Sequence, residues 1–482
     1  MADRTAKAAH SHSHSSRSDR YSAGKALRAQ HPRTKHGEYE VTDGRDPVAI
    51  LAETDAGRIE SLLPIRYQRM LVSPFTFLRG SAAVMAADLA GIDGAGIPVQ
   101  SCGDCHLMNF GAFLTPEGNV LFDINDFDET LPDIDFTVDL KRLVASMAVA
   151  ALDAGLSDKK ARAIARTAAA AYRERIAKLA RLAPLDIWHT RMLLEQEIEQ
   201  FDDADLRRQI VGSLAVAHGQ LANDENFPKL ASTTGGKLHI EDRPPLIYHF
   251  NDAANTRDRI DANAVFETYL TTLPPERRVL AQRYRLADVA FKVVGVGSVG
   301  TFCAIGLFVT GDSEPLFLQI KEARNSVLER IGIPKQPIMH QGRRVVEGQR
   351  IMQAASDIFL GWAQDKVTER RFYVRHLKNR RLGSLSEVIQ GNALPAYAAL
   401  CGRTLARAHA RSGDTAVLAG YMGKSETMDD ALASFAMLYA EQTKRDHARL
   451  LAAKTPAKNG SDNSAAEKDK KNGKKARKGE GK

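Results

Sequence analysis

Apolar positions recur at helical spacing along most of this chain and switch to strand-like runs in two regions. Residues 51–70 read as a helix interrupted at Pro64, and 80–90 as a second helix. The period changes over 118–127. There Asn119-Val-Leu-Phe-Asp-Ile-Asn125 follows a Pro116-Glu-Gly118 turn and reads as a short strand. Residues 137–154 and 158–182 carry apolar positions at helical spacing with charged opposite faces, and helical patterns continue to about residue 221. After Pro275, three runs rich in Val, Ile and Phe (291–294, 301–309 and 315–320) are parted by glycine-bearing turns and predict consecutive antiparallel strands. A helix over 345–360, a strand over 372–377, and helices over 394–411 and 429–451 complete the series.

The pattern predicts an α+β fold of two lobes, mostly helical with a small antiparallel sheet lobe. Residues 1–45 are polar and aperiodic and are expected to form a disordered tail. A helical lobe is expected over 46–275, the sheet lobe over 276–378, a helical segment completing the large lobe over 379–453, and a disordered Lys-rich tail over 454–482.

Charge changes this picture little. The formal net charge is +8, but it resides in the two tails, and the body is almost neutral. Nucleic acid is therefore not an expected partner except through weak contact with the basic tails, and the oligomeric state is not legible. No stretch approaches the roughly 18–20 apolar residues that span a bilayer, and no export signal is visible. The chain reads as a soluble cytoplasmic protein without a membrane partner.

Four cysteines, Cys102, Cys105, Cys303 and Cys401, make no disulfide framework. Cys102-Gly-Asp-Cys105-His106 spells a haem-attachment pattern, but that chemistry belongs outside the cytoplasm. A thioredoxin-like reading needs a helix to follow, and a zinc site needs two more ligands than the neighbourhood offers.

The same segment has a better reading. In Gly103-Asp104-Cys105-His106-Leu107-Met108-Asn109, the asparagine falls five residues after Asp104. A short strand then delivers Asp123-Ile-Asn125-Asp126-Phe127-Asp128-Glu129. Phosphoryl transfer from ATP needs a carboxylate beside the acceptor hydroxyl and oxygen ligands for Mg²⁺ on the phosphates. Asp104 fits the first role, and Asn109 with Asp126 or Asp123 the second. Asp126 is preferred over Asp123 because an aromatic residue follows it. Each aspartate alone would more often cap a helix or turn; the joint spacing points to chemistry. It resembles the G-D-x-H-x-x-N and strand-D-F signature of aminoglycoside and choline phosphotransferases.

A second constellation lies far downstream. Gly295-Val-Gly297-Ser298-Val-Gly300 is G-x-G-x-x-G, a weak signal alone because dinucleotide-binding loops share it. Here a strand pattern follows instead of a helix, as in the nucleotide-covering hairpin of kinases. The third strand ends in Leu318-Gln-Ile-Lys321, which looks like the kinase lysine that contacts the nucleotide phosphates. Glu347, on the next helix, is the expected carboxylate partner of Lys321, with Glu329 and Glu322 as weaker candidates.

These halves stand in the reverse of the usual kinase order, which suggests circular permutation of a kinase-like fold. Further motifs are Pro74-Phe-Thr-Phe-Leu-Arg79-Gly80, Val345-Val-Glu347-Gly-Gln-Arg-Ile-Met-Gln353 and Ala406-Arg-Ala-His409-Ala-Arg-Ser-Gly-Asp414. With them the chain resembles, over roughly 47–450, the bacterial domain-of-unknown-function family 2252. The resemblance implies the protein-kinase-like superfamily and implies no substrate. The expectation is an ATP- and Mg²⁺-dependent phosphotransferase acting on a hydroxyl of a small molecule or protein. AMP transfer on the same fold, or non-catalytic nucleotide binding, are the alternatives. Arg79, His106, Arg375, His409 and Asp414 stand between functional and buried structural roles.

Overall fold

The computed structural model describes residues 15–201, 204, 207, 208, 230–235, 237–249, 260–377 and 393–455. Among them the chain forms the α+β arrangement that the periodicity predicts. The expected helical continuation to residue 221 and much of both tails lie outside the described residues.

The larger lobe is built around helix Phe136–Asp153, which is buried on every face. Helices Asp158–Leu179, Leu394–His409 and Thr427–Lys454 pack around it. A helix hydrophobic all round belongs at the centre of a bundle. Several of its polar side chains are therefore buried as well; Asp139 and Arg142 serve the site below, and Ser146 accepts from the Leu107 amide at 3.0 Å. Two two-stranded antiparallel pairs pack against this bundle. Pro98–Ser101 runs antiparallel to Leu131–Asp135, and Phe110–Leu114 to Val120–Ile124.

The smaller lobe is a six-stranded antiparallel sheet. Its spatial order is Gly361–Gln364, Arg371–His376, Pro315–Glu322, Cys303–Val309, Arg285–Lys292 and Ile247–Tyr248. The strand expected at 291–294 begins earlier, at Arg285, because its first half alternates exposed and half-buried residues and lacks the continuous apolar run. The lobe also starts upstream of the expected residue 276. Helix Ala262–Thr272 buries Val265, Tyr269 and Leu270 in this core, and Tyr269 donates to the Phe359 carbonyl at 2.6 Å. The helix expected over 345–360 is Gln341–Met352 instead. His340 caps it by accepting from the Arg343 amide, and beyond Gln353 the chain leaves to join the sheet.

The N-terminal tail requires a larger correction. Residues 17–30 form helix Arg17–Gln30, capped by Ser16, which accepts from the Asp19 amide at 3.1 Å. The helix packs on Thr415–Met422 through a close glycine crossing. A Cβ at Gly24 would lie 2.0 Å from the Val417 carbonyl oxygen, and one at Gly420 2.0 Å from that of Tyr21. Arg28 and Arg33 donate to the Gly420, Tyr421 and Met422 carbonyls, closing the C-terminus of the second helix. No helix among the described residues is long and apolar enough to cross a membrane.

Candidate functional site

Between the lobes lies a cleft of about 670 Å³. Asp104, His106, Asn109 and Asp126 line it from the large lobe, and Gly295, Gly297 and Ser298 from the small lobe. The two sequence constellations thus meet at one cavity.

The loop that carries Asp104 is held from below by the central helix. Gly103 has φ +90°, and a Cβ there would strike the Glu129 carbonyl, so the turn requires glycine. Asp139 accepts from the Ser101 hydroxyl at 2.6 Å and from the amides of Cys102 and Gly103 at 2.8 and 3.0 Å. His409 contacts the same carboxylate at 3.0 Å, so its place is structural and fully buried. Burial opposes ionisation of Asp139, but the His409 contact and these donors hold its pKa below the usual value.

One turn further along the same helix, Arg142 donates to Asp104 Oδ1 through Nε at 2.9 Å and Nη2 at 2.7 Å. The carboxylate is thereby fixed on one side, and Asp104 lines the cleft. Burial raises its pKa, against the pull of Arg142 and Arg79. His106 accepts from the Met108 amide through Nδ1 at 3.2 Å, which leaves Nε2 3.8 Å from Asp104 Oδ2. Burial, followed by the charges of Arg79 and Arg142, pushes His106 well below its usual pKa, so the ring is neutral. Asn109 donates its side-chain amide to the Asp104 carbonyl at 2.7 Å, closing the loop on itself.

The acidic motif divides into three different fates. Asp126 accepts one bond from the Asp128 amide at 3.1 Å, and burial next to Asp128 raises its pKa. Asp128 receives Lys321 Nζ, the Tyr373 hydroxyl at 2.7 Å and the Ser298 hydroxyl at 3.2 Å. Burial would raise its pKa, yet Lys321 and Tyr373 hold it low. Lys321 is raised well above its usual value, since the charges of Asp126 and Asp128 outweigh its desolvation.

Asp123 is elsewhere. It is buried in an ion pair with Arg407 and accepts from the amides of Ile124 and Ala354 at 2.9 and 3.0 Å. Its place on strand Val120–Ile124 turns it towards the bundle, so the expectation of a metal ligand at Asp123 is corrected: it anchors helix Leu394–His409. Glu347 is corrected too. It pairs with Arg343 at 2.7 Å on an exposed helix face, one turn away in its own helix. The carboxylate on Lys321 is Asp128. Gly300 and Lys321 lie behind the cleft wall, with the Gly300 carbonyl accepting from the Ile59 amide at 2.8 Å.

The model of the family described as "Uncharacterized protein conserved in bacteria (DUF2252)" matches residues 58–453. The chain belongs to this family. No curated protein and no solved structure matches it. The match spans every cleft residue named above.

Sequence reasoning missed Asp128, Tyr373, Arg142 and Asp139. The Asp126-Phe-Asp128 repeat was the available signal for the first. The others lack any local motif, because their roles depend on which helix or strand passes behind the loop. Cys102, Cys105 and Asp139 bring three potential ligand atoms within 4.8 Å of one another. Burial pushes the Cys102 thiol well up and that of Cys105 up to about 11, and Asp139 is already engaged by four donors. The cluster therefore reads as buried hydrogen bonding under the Asp104 loop.

Proposed function

We propose that this protein is an ATP- and Mg²⁺-dependent phosphotransferase acting on a hydroxyl group, on a circularly permuted protein-kinase-like fold. The observation that carries this reading is the convergence on one cleft of Asp104, Asn109 and Asp126 with the glycine loop and with Asp128, to which Lys321 pairs from behind the wall.

The residues present fit the metal. Asn109 spends its Nδ2 on the Asp104 carbonyl, which leaves its oxygen, and Asp126 gives one oxygen to an amide. Mg²⁺ takes one or two such hard protein oxygens and completes its shell with water and phosphate oxygens. When bound, the ion supplies neutralisation of charge on the transferring phosphoryl group. The acceptor hydroxyl oxygen forms a bond to the terminal phosphorus, its proton passes to Asp104, and the bond to the ADP oxygen breaks. Arg142 keeps Asp104 Oδ1 fixed, so Oδ2 is the oxygen offered to the hydroxyl. Burial raises the pKa of that carboxylate and makes it a stronger base than a solvated one. Lys321 and Arg375 place positive charge behind Asp126 and Asp128.

The test uses purified protein with Mg²⁺ and ATP labelled at either the γ or the α phosphate, offered a mixture of hydroxyl compounds and proteins. Movement of the γ label is the expected result, and movement of the α label would mean AMP transfer instead. A protein that binds no ATP with or without Mg²⁺ would sink both.

A further inference from the structure

The peptide groups of the glycine loop are unequally partnered. Every carbonyl from Gly295 to Gly300 has a donor. Arg69 donates to Gly295 at 2.5 Å, and Arg58 donates to Gly297 at 2.9 Å and to Val299 at 2.5 Å. The Val299 and Thr301 amides serve Val296 and Ser298, and the Ile59 amide serves Gly300. Of the amides over the same six residues, only that of Val299 meets an acceptor among the described residues. The loop is therefore rich in unused donors, the mark of an anion-binding turn.

The pattern also has a direction. In a trans peptide the carbonyl of one residue and the amide of the next point opposite ways, and these peptides are trans. The arginines take the carbonyls of residues 295, 297 and 299. The amides of Val296, Ser298 and Gly300 are thus turned away from the arginines. Gly295 and Gly300 reach this arrangement at φ +67° and +87°, open to glycine at little cost. Gly297 crosses the Arg79 carbonyl so closely that a Cβ would lie 3.1 Å from it.

We infer that Arg58 and Arg69 are positioning residues that pre-set the glycine loop as a receptor for polyphosphate oxyanions. The inference rests on the phosphotransferase reading for the identity of the anion, and not for the clamp itself. Arg58 carries most of it. Its Nε is fixed on the Thr54 carbonyl at 2.9 Å, so its guanidinium ties three backbone carbonyls together. A pre-set loop binds without a cost of ordering.

The experiment compares the full chain with Arg58→Lys, Arg58→Met and Arg69→Ala, using inorganic tripolyphosphate as the probe. Amide hydrogen exchange is measured first without ligand. The Val299 and Thr301 amides should exchange at least about tenfold faster in Arg58→Met, with Arg58→Lys between it and the parent. Tripolyphosphate affinity should fall at least about tenfold in Arg58→Met and several-fold in Arg69→Ala, whose half-exposed side chain threatens folding least. With ATP, KM should rise while kcat stays within a few-fold, since the arginines touch no reacting atom. Unchanged exchange and unchanged tripolyphosphate affinity in both Arg69→Ala and a folded Arg58 variant would overturn the clamp. Arg58-dependent tripolyphosphate binding without phosphoryl transfer would uphold the clamp and remove the reading of function.

Discussion

Asp126 and Asp128 sit two residues apart yet titrate in opposite directions, because Lys321, Tyr373 and Ser298 all reach Asp128 while Asp126 receives one amide. Removing the lysine should expose this dependence. Lys321→Met is expected to cost about 3 kcal/mol of stability, at the low end for a broken buried ion pair because Asp128 is partly open to the cleft. Adding Asp128→Asn should restore part of that loss, and a double-mutant cycle on urea melts would measure the coupling. Additive losses would mean that the pair is incidental. Glu347→Gln should change neither stability nor nucleotide binding, since its partner Arg343 is exposed with it. Asp104→Asn should lower turnover by about 10²-fold or more while Mg²⁺·ATP affinity stays within a few-fold. Calorimetry beside a turnover assay separates the two. A variant that turns over like its parent would remove Asp104 from the chemistry.

Which elements were legible depended on contrast. The long amphipathic helix Asp158–Leu179 and the strands flanking the glycine loop have strong periodic signals, and both were readable. Thr415–Met422 is buried on nearly every face and only eight residues long, so it offers no contrast between faces. Arg17–Gln30 has the opposite defect. It buries mainly Gly24 and grips its neighbour with arginines, so almost no apolar stripe marks it. The Ser16 cap with Asp19 three residues on was the one local clue. The site was legible wherever spacing alone defines it, at Asp104, Asn109 and the glycines. It was opaque where a choice between two aspartates depends on tertiary partners. This helix makes a sharp prediction of its own: deleting residues 1–45 should lower the melting temperature, although composition alone argues that they are dispensable. Gly420→Val should do likewise by about 2 kcal/mol, because its new side chain would collide with the Tyr21 carbonyl. Melts that match the parent in both cases would show that the crossing contributes nothing.

At the scale of the molecule, His36 joins parts of the chain that are far apart in sequence. It is 2% exposed, and its Nε2 lies 2.6 Å from the Tyr421 hydroxyl. That hydroxyl gives its own proton to the His31 carbonyl at 2.8 Å, so the His36 ring nitrogen must be the donor and Nδ1 carries no proton. Burial first, then the charge of Lys141 on the central helix, pushes the His36 pKa from 6.5 down to about 4; Asp135 pulls weakly the other way. The sign follows from linkage. Between these two values the unfolded chain binds a proton that the folded chain refuses, so folding is weakened as pH falls. The contribution is complete above about pH 6.5 and shrinks by up to about 1.4 kcal/mol per unit below it, so that the loss amounts to roughly 3 kcal/mol by pH 4. Carboxylates also titrate in this range, so the comparison must be with His36→Gln, which cannot take up the proton. The variant is expected to be less stable than the parent at pH 7.5, because the contact with Tyr421 changes. The gap should narrow steadily as the pH is lowered to 4.5, read as the difference in urea midpoint between the two proteins. A gap that stays constant across that window would mean that His36 is as readily protonated in the folded protein as in the unfolded chain.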